Sequence, residues 1–120
     1  MVSIVPADED FLAELNITPG SSFFCLNAFD GKQSVGYVIF RLDGRQVVII
    51  SLETEDEVIA DGLIRAALNS SREKGAVIAV CRIKTIYSIL KKIGFNEDGS
   101  NLSAEINEVL TGKCKKHFNL

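Results

Sequence analysis

Two Asp-Gly pairs, Asp30-Gly31 and Asp43-Gly44, constrain the fold of this chain more than any other feature. They separate three runs rich in β-branched and aromatic residues: Phe23 to Ala28, Ser34 to Arg41 and Gln46 to Leu52. Glycine takes positive φ without a Cβ clash, so Asp-Gly between apolar runs predicts tight hairpins and hence an antiparallel meander. After Thr54 the apolar period lengthens from two residues to about 3.6. Val58, Ile59, Leu63, Ala66, Ala67 and Ser70 then fall on one helical face, and Gly75 supplies a C-terminal cap. Val77 to Cys81 is a near-continuous apolar run, as expected of a strand buried beside a crossover helix. A second helix, Thr85 to Ile93, turns Ile86, Ile89, Leu90 and Ile93 inward and stops at Gly94. A short strand, Val2 to Val5, and a short helix, Asp8 to Leu15, precede the meander. Phe95 and the stretch Leu102 to Ile106 are the last strand candidates, before a short helix through Leu110. The order predicts an α/β domain with an antiparallel half and a parallel crossover.

Composition sets the outer limits. With 120 residues, 47% of them hydrophobic, the chain supports one core, so residues 1–120 read as a single domain with a basic C-terminal tail over 113–120. Lys plus Arg is 13 against 16 for Asp plus Glu, a formal net charge of -3. That balance offers no global positive field for a phosphate backbone, so nucleic acid is not an expected partner. No apolar run approaches the length of a membrane span, and the first residues lack the basic and apolar regions of a secretory signal. The three cysteines, Cys25, Cys81 and Cys114, are odd in number and scattered, which fits a reducing compartment; the expected location is cytoplasmic.

The order of elements, together with Asp61-Gly62-Leu63-Ile64-Arg65-Ala66-Ala67-Leu68, Arg72-Glu73-Lys74-Gly75-Ala76 and Leu90-Lys91-Lys92-Ile93-Gly94-Phe95, resembles the GNAT family of acyl-CoA N-acyltransferases. The resemblance covers roughly residues 21–106. It implies a mixed, mostly antiparallel twisted sheet flanked by helices. It also implies acetyl-CoA as cofactor, with the acyl-pantetheine arm in a gap between the strand ending at Glu53 and the strand Val77 to Cys81. The diphosphate would rest on backbone N–H groups where the next helix begins. Carried onto this sequence, the cofactor contacts are Leu52, Thr54, Asp61, Gly62, Leu63, Ile64 and Arg65. The acceptor would be a small-molecule or peptide amine.

The same resemblance exposes departures. The family loop reads Gln or Arg, two residues, Gly, one residue, Gly or Ala; aligned on Gly62, Ile59 stands at the basic or amide position and Ile64 at the second small position. Leu90 stands where many members carry the Tyr that protonates the leaving thiolate, with Tyr87 one turn earlier, and Ile83 stands at a CoA-contacting Asn position. One short helix precedes the meander where the family usually has two that help to build the acceptor cleft.

Candidate catalytic residues are therefore Glu53, as a general base working on an amine directly or through water, and Tyr87 as a replacement acid. Glu53 also reads as a solvated carboxylate at a strand end. Thr54-Glu55-Asp56-Glu57 matches a capping box that starts a helix near Glu55, whereas a start at Asp61 keeps residues 54–60 as a phosphate loop. Five acids, Glu53, Glu55, Asp56, Glu57 and Asp61, precede the first base, Arg65. Gly36, inside a strand run, marks either a bulge or a close approach to a ligand. Phe23, Phe24, Phe29, Tyr37 and Phe40 read as packing residues. Cys114 and His117 have C-x-x-H spacing, but two ligands do not close a zinc site, so no metal is expected. The neighbouring lysines favour thiolate at Cys114. Two functions follow: an acetyl-CoA-dependent N-acyltransferase, or a domain of the same fold with a degenerate cofactor loop that serves as a binding, regulatory or dimerisation module, a homodimer included.

Overall fold

The computed structural model describes residues 1–18 and 21–111. In chain order the elements are β1 (Val2–Pro6), α1 (Glu9–Glu14), β2 (Phe23–Asp30), β3 (Gln33–Asp43), β4 (Gln46–Glu53), α2 (Glu57–Glu73), β5 (Ile78–Cys81), a 3-10 turn (Lys84–Ile86), α3 (Tyr87–Ile93), β6 (Asn96–Asp98), β7 (Asn101–Glu105) and α4 (Ile106–Thr111). The strands form one sheet in the order β1-β2-β3-β4-β5-β7-β6. The β4–β5 pair is parallel and the others are antiparallel. Both Asp-Gly hairpins form, with Gly31 at φ 64° and Gly44 at φ 63°.

The crossover helix α2 packs against β1, β2, β3 and β4 and against α3 and α4. It buries Ala60, Leu63, Ile64, Ala67, Leu68 and Ser71. The predicted inward face is thus rotated: Leu63 and Ala67 hold their places, Ile64 and Leu68 join them at its centre, Ile59 and Ala66 pack at its margin, and Val58 is 80% exposed. Alanine and leucine occupy so much of this helix that the apolar stripe is wide, and contact with the sheet selects which part of it is buried. Fully burying each large aliphatic residue of that face stabilises the fold by about 1.5–3 kcal/mol. Phe40, Ile49, Leu90, Phe95, Leu102 and Ile106 complete the same cluster.

The C-terminal part follows the predicted pattern with shifted boundaries. Gly94, at φ 129°, ends α3 and donates its N–H to the Leu90 carbonyl; the N–H of Phe95 donates to that same carbonyl. Phe95 is buried before β6 rather than within it, β7 begins at Asn101, and Ile106 opens α4 instead of closing a strand. Cys25 and Cys81 are buried, and burial pushes the Cys25 thiol up to about 11. Cys114, His117 and the basic tail lie outside the described residues.

Gly36 combines both sequence readings in a different form. The β2–β3 register shifts between Ala28 and Phe29, which leaves Val35 as the extra residue beside Gly36. The close approach at Gly36 is to the chain itself: a Cβ there would lie 2.7 Å from Thr54 Cβ and 2.8 Å from the Glu53 carbonyl oxygen. Gly62, inside α2, instead faces the flexible end of Ile4, whose Cδ1 would be 3.2 Å from an added Cβ. Gly36→Ala is expected to cost about 1–3 kcal/mol through overpacking. Gly62→Ala is expected to be neutral or to gain up to about 1 kcal/mol of helix propensity. Urea denaturation of the two variants checks the contrast, and equal effects would refute it.

Candidate functional site

Strands β4 and β5 pair over Gln46–Ile49 and Ile78–Cys81. Beyond that point β5 ends, while β4 continues through Ile50–Glu53 paired with β3. The β3–β4 register shifts there as well: Ile39 faces Ser51 and Phe40 faces Ile49, so Ile50 is an extra residue. A bulge bends its strand. The parallel ladder therefore stops at Ile49, on the stretch of β4 where the family resemblance calls for a gap.

The chain turns from β4 into α2 through residues 54–56. Thr54 Oγ1 donates to the Val35 carbonyl at 3.0 Å and accepts from the Asp56 N–H at 3.3 Å. Asp56 caps α2, its Oδ1 accepting from the N–H groups of Val58 at 2.7 Å and Ile59 at 3.3 Å. The expected capping box is accordingly corrected. The Thr54 hydroxyl is held by β3 and accepts from the Asp56 N–H instead of from Glu57, Asp56 takes the capping role, and the Glu57 carboxylate pairs with Lys92 Nζ of α3 at 3.1 Å rather than reaching back. The helix begins at Glu57, two residues after the expected start near Glu55, and the alternative start at Asp61, with residues 54–60 as a phosphate loop, is overturned.

Each residue named for the cofactor now has a place. Leu52 is half-buried on β4, packed against the core opposite Val38. Asp61, Gly62, Leu63, Ile64 and Arg65 lie within α2, where backbone N–H groups donate to carbonyls one turn back. The Leu63 and Ile64 side chains are fully buried. Arg65 pairs with Asp61 through Nε and donates from Nη1 to the Val109 carbonyl at 2.9 Å, which ties α2 to α4. A groove of about 400 Å³ between α2 and α3 is lined by Glu57, Val58, Asp61, Gly62, Ile89 and Lys92, among others.

The two residues named for catalysis are on different elements. Tyr87 opens α3, and its hydroxyl donates to the Ser100 carbonyl at 2.8 Å. Glu53 is exposed at the end of β4 and stands directly across from Tyr37. Tyr37 in turn stands across from buried Asn27, whose Oδ1 accepts from the Ser34 hydroxyl at 2.8 Å. Phe11 of α1 meets the Tyr37 ring edge-on, with centroids 5.5 Å apart. Burial, then the charge of Glu53 and of Cys25, hold the Tyr37 phenol above its ordinary range, so at neutral pH it is a hydrogen-bond donor. Sequence reasoning took Tyr37 as packing and did not name Asn27. The alternation of β3 and the two Asp-Gly hairpins were the available signals, because the first hairpin sets Asn27 against Tyr37 and the second sets Tyr37 against Glu53.

Phe11, Ser34, Tyr37 and Glu53 border an open groove of about 700 Å³, and Asn27 is buried beside it. Phe11 and Tyr37 form its aromatic part, and Asp30, Glu53, Glu55 and Asp56 are its ionisable lining among the described residues.

No family profile matches the sequence, and no curated protein sequence matches it. Solved structures do resemble the fold. The ribosomal-protein-S18-alanine N-acetyltransferase from Escherichia coli superposes with a TM-score of 0.74 at 8% identity, covering 88% of this chain and 94% of its own. The aminoglycoside 6'-N-acetyltransferase from Enterococcus faecium gives 0.70 at 11% identity, covering 87% and 97%. A GNAT acetyltransferase from Elizabethkingia anophelis with acetyl-CoA bound gives 0.65 at 11%, covering 87% and 97%. The chain has the GNAT fold: a mixed, mostly antiparallel sheet with flanking helices, as its sequence led us to expect.

The cap geometry yields a mutational signature. Asp56→Ala should destabilise the protein by ~0.5–2 kcal/mol and Thr54→Ala by ~0.5–1.5 kcal/mol, while Glu57→Ala should stay within ~0.5 kcal/mol because its ion pair is exposed. Denaturant midpoints of the three variants decide between this assignment and a capping box, in which Thr54 and Glu57 would matter and Asp56 would not.

Proposed function

We propose that this GNAT-fold domain recognises a cationic amine, on a small molecule or a peptide, in the groove between Phe11, Tyr37 and Glu53. The observation that supports it most is the row Asn27, Tyr37, Glu53 across three strands. It sets a phenol donor beside a carboxylate in a concavity whose ionisable lining is acidic. An alkylammonium group satisfies that surface in two ways: its charge is attracted by the carboxylates, and its methylenes lie against the aromatic rings. Glu53 at the groove's edge is the group that would hold the amine, and Tyr37 would orient it.

A second reading, acyl transfer to that amine, is favoured by the end of the β4–β5 ladder at Ile49, beyond which β4 runs on to Glu53 paired with β3 alone. In that reading Glu53 accepts a proton from the amine. The Tyr87 hydroxyl, engaged with the Ser100 carbonyl, would first have to release that bond to act as an acid.

Calorimetric titration with a linear polyamine such as spermidine at low ionic strength tests the primary reading. Saturable binding that weakens with salt is expected, as for a charge-driven site. Glu53→Gln should weaken it about fivefold or more and leave the melting temperature unchanged, since Glu53 is exposed. The absence of saturable binding by the native protein would refute the reading.

A further inference from the structure

We infer that the N-terminus of α2 is closed to the diphosphate of an acyl-CoA because the chain fills that anion position with its own Asp56 carboxylate. The first four N–H groups of a helix lack partners within the helix, and they are what binds phosphate at such a terminus. Here that of Asp56 donates to Thr54 Oγ1 at 3.3 Å and those of Val58 and Ile59 donate to Asp56 Oδ1, while from Ala60, which donates to the Asp56 carbonyl at 2.9 Å, the amides are bonded along the helix. That leaves the N–H of Glu57, too few donors to cradle a diphosphate. The amides of Gly62 to Arg65, where the family resemblance places the anion, lie inside the helix.

Charge acts in the same direction. Glu55, Asp56, Glu57 and Asp61 all sit at or near this terminus. The neighbouring cations are already engaged: Lys92 pairs with Glu57, and Arg65 pairs with Asp61 and binds the Val109 carbonyl. A diphosphate arriving here would displace one carboxylate from its amides and face three more at short range. The groove between α2 and α3 beside Gly62 does not supply the missing donors, because the residues preceding Gly62 form a regular helical turn instead of a loop and the amides there are bonded within the helix. The donor set does not fit the cofactor that the fold suggests, so a ligand held beside Glu53 would be bound without being acylated from CoA.

The test uses the intact protein and an Asp56→Gly/Glu57→Gln variant, since glycine is a tolerated N-cap that frees the two amides and glutamine removes a charge. Neither millimolar acetyl-CoA nor inorganic pyrophosphate should raise the melting temperature of the native protein. Both should bind the variant about tenfold or more tightly than the native protein by calorimetry. A rise of several degrees with acetyl-CoA in the native protein would overturn the inference, because that is the shift a ligand well above its dissociation constant produces. So would equal, weak binding by both proteins, which would free Asp56 of the blocking role. If the double variant fails to fold by circular dichroism, Asp56→Asn, which keeps the cap and removes its charge, serves in the same comparison and should show a smaller gain. Spermidine titration of the same native sample keeps the two proposals apart, since binding of acetyl-CoA refutes the closed terminus alone and failure to bind the amine refutes the groove alone.

Discussion

The contact between Thr54 and the backbone at Gly36 is the constraint on which the rest of this structure depends. A bulge in β3 and the lack of a side chain at Gly36 let the end of β4 come within van der Waals distance of β3, and the Thr54 hydroxyl fixes that approach by donating to Val35. From there the chain has room for Glu55 and Asp56 alone before α2 starts. The aspartate in that short corner accepts the first amides of the helix, and the helix is thereby aimed across β1 to β4 with its Leu63, Ile64, Ala67 and Leu68 side in the core. Hydrophobic burial supplies most of the stability, and the corner determines which residues receive it.

The same corner has consequences for function. It sets Glu53, Glu55 and Asp56 on one rim, adjoining Tyr37 and Asp30 from β3 and β2. An acidic rim beside aromatic rings suits a cationic partner. It is a poor neighbour for phosphate, and Asp56 is already bound where phosphate would have to be. The likeness to acetyltransferases of known structure therefore describes the scaffold, while the amides at the start of α2 are bound by the chain's own Asp56. Fold and chemistry can diverge in this way because packing is spread over many residues, whereas an anion site depends on a few amides at one helix end.

Much of the scaffold was legible in the sequence because its signals are local. The Asp-Gly turns, the change of period after Thr54 and the glycines at 75 and 94 fix element type within a few residues of one another. The face of α2 was placed slightly off because Val58 is apolar yet exposed in the first turn, and Ile59 and Ala66 lie at the margin of the buried stripe rather than at its centre. The capping residue was misjudged because Thr54 satisfies the capping-box pattern as well as Asp56 satisfies a simpler one, and the choice rests on a hydrogen bond to Val35, distant in sequence. Tyr37 and Asn27 were missed as a pair for a similar reason: their relation to Glu53 is a matter of strand register across two hairpins. The absence of the family's loop residues at Ile59 and Ile64 was visible from the start, and the structure supplies what stands in their place.

Amide hydrogen exchange and chemical shifts of residues 54–66, measured by NMR on the native protein, test the central claim most directly. A helix that starts at Glu57 under an Asp56 cap predicts helical shifts from Glu57 onward and slowed exchange at Val58 and Ile59. Asp56→Gly should abolish that protection at the two amides and leave Leu63 and Ile64 unchanged. Extended shifts and fast exchange through Ala60, with helical values starting only at Asp61, would instead describe an open phosphate loop and contradict the account.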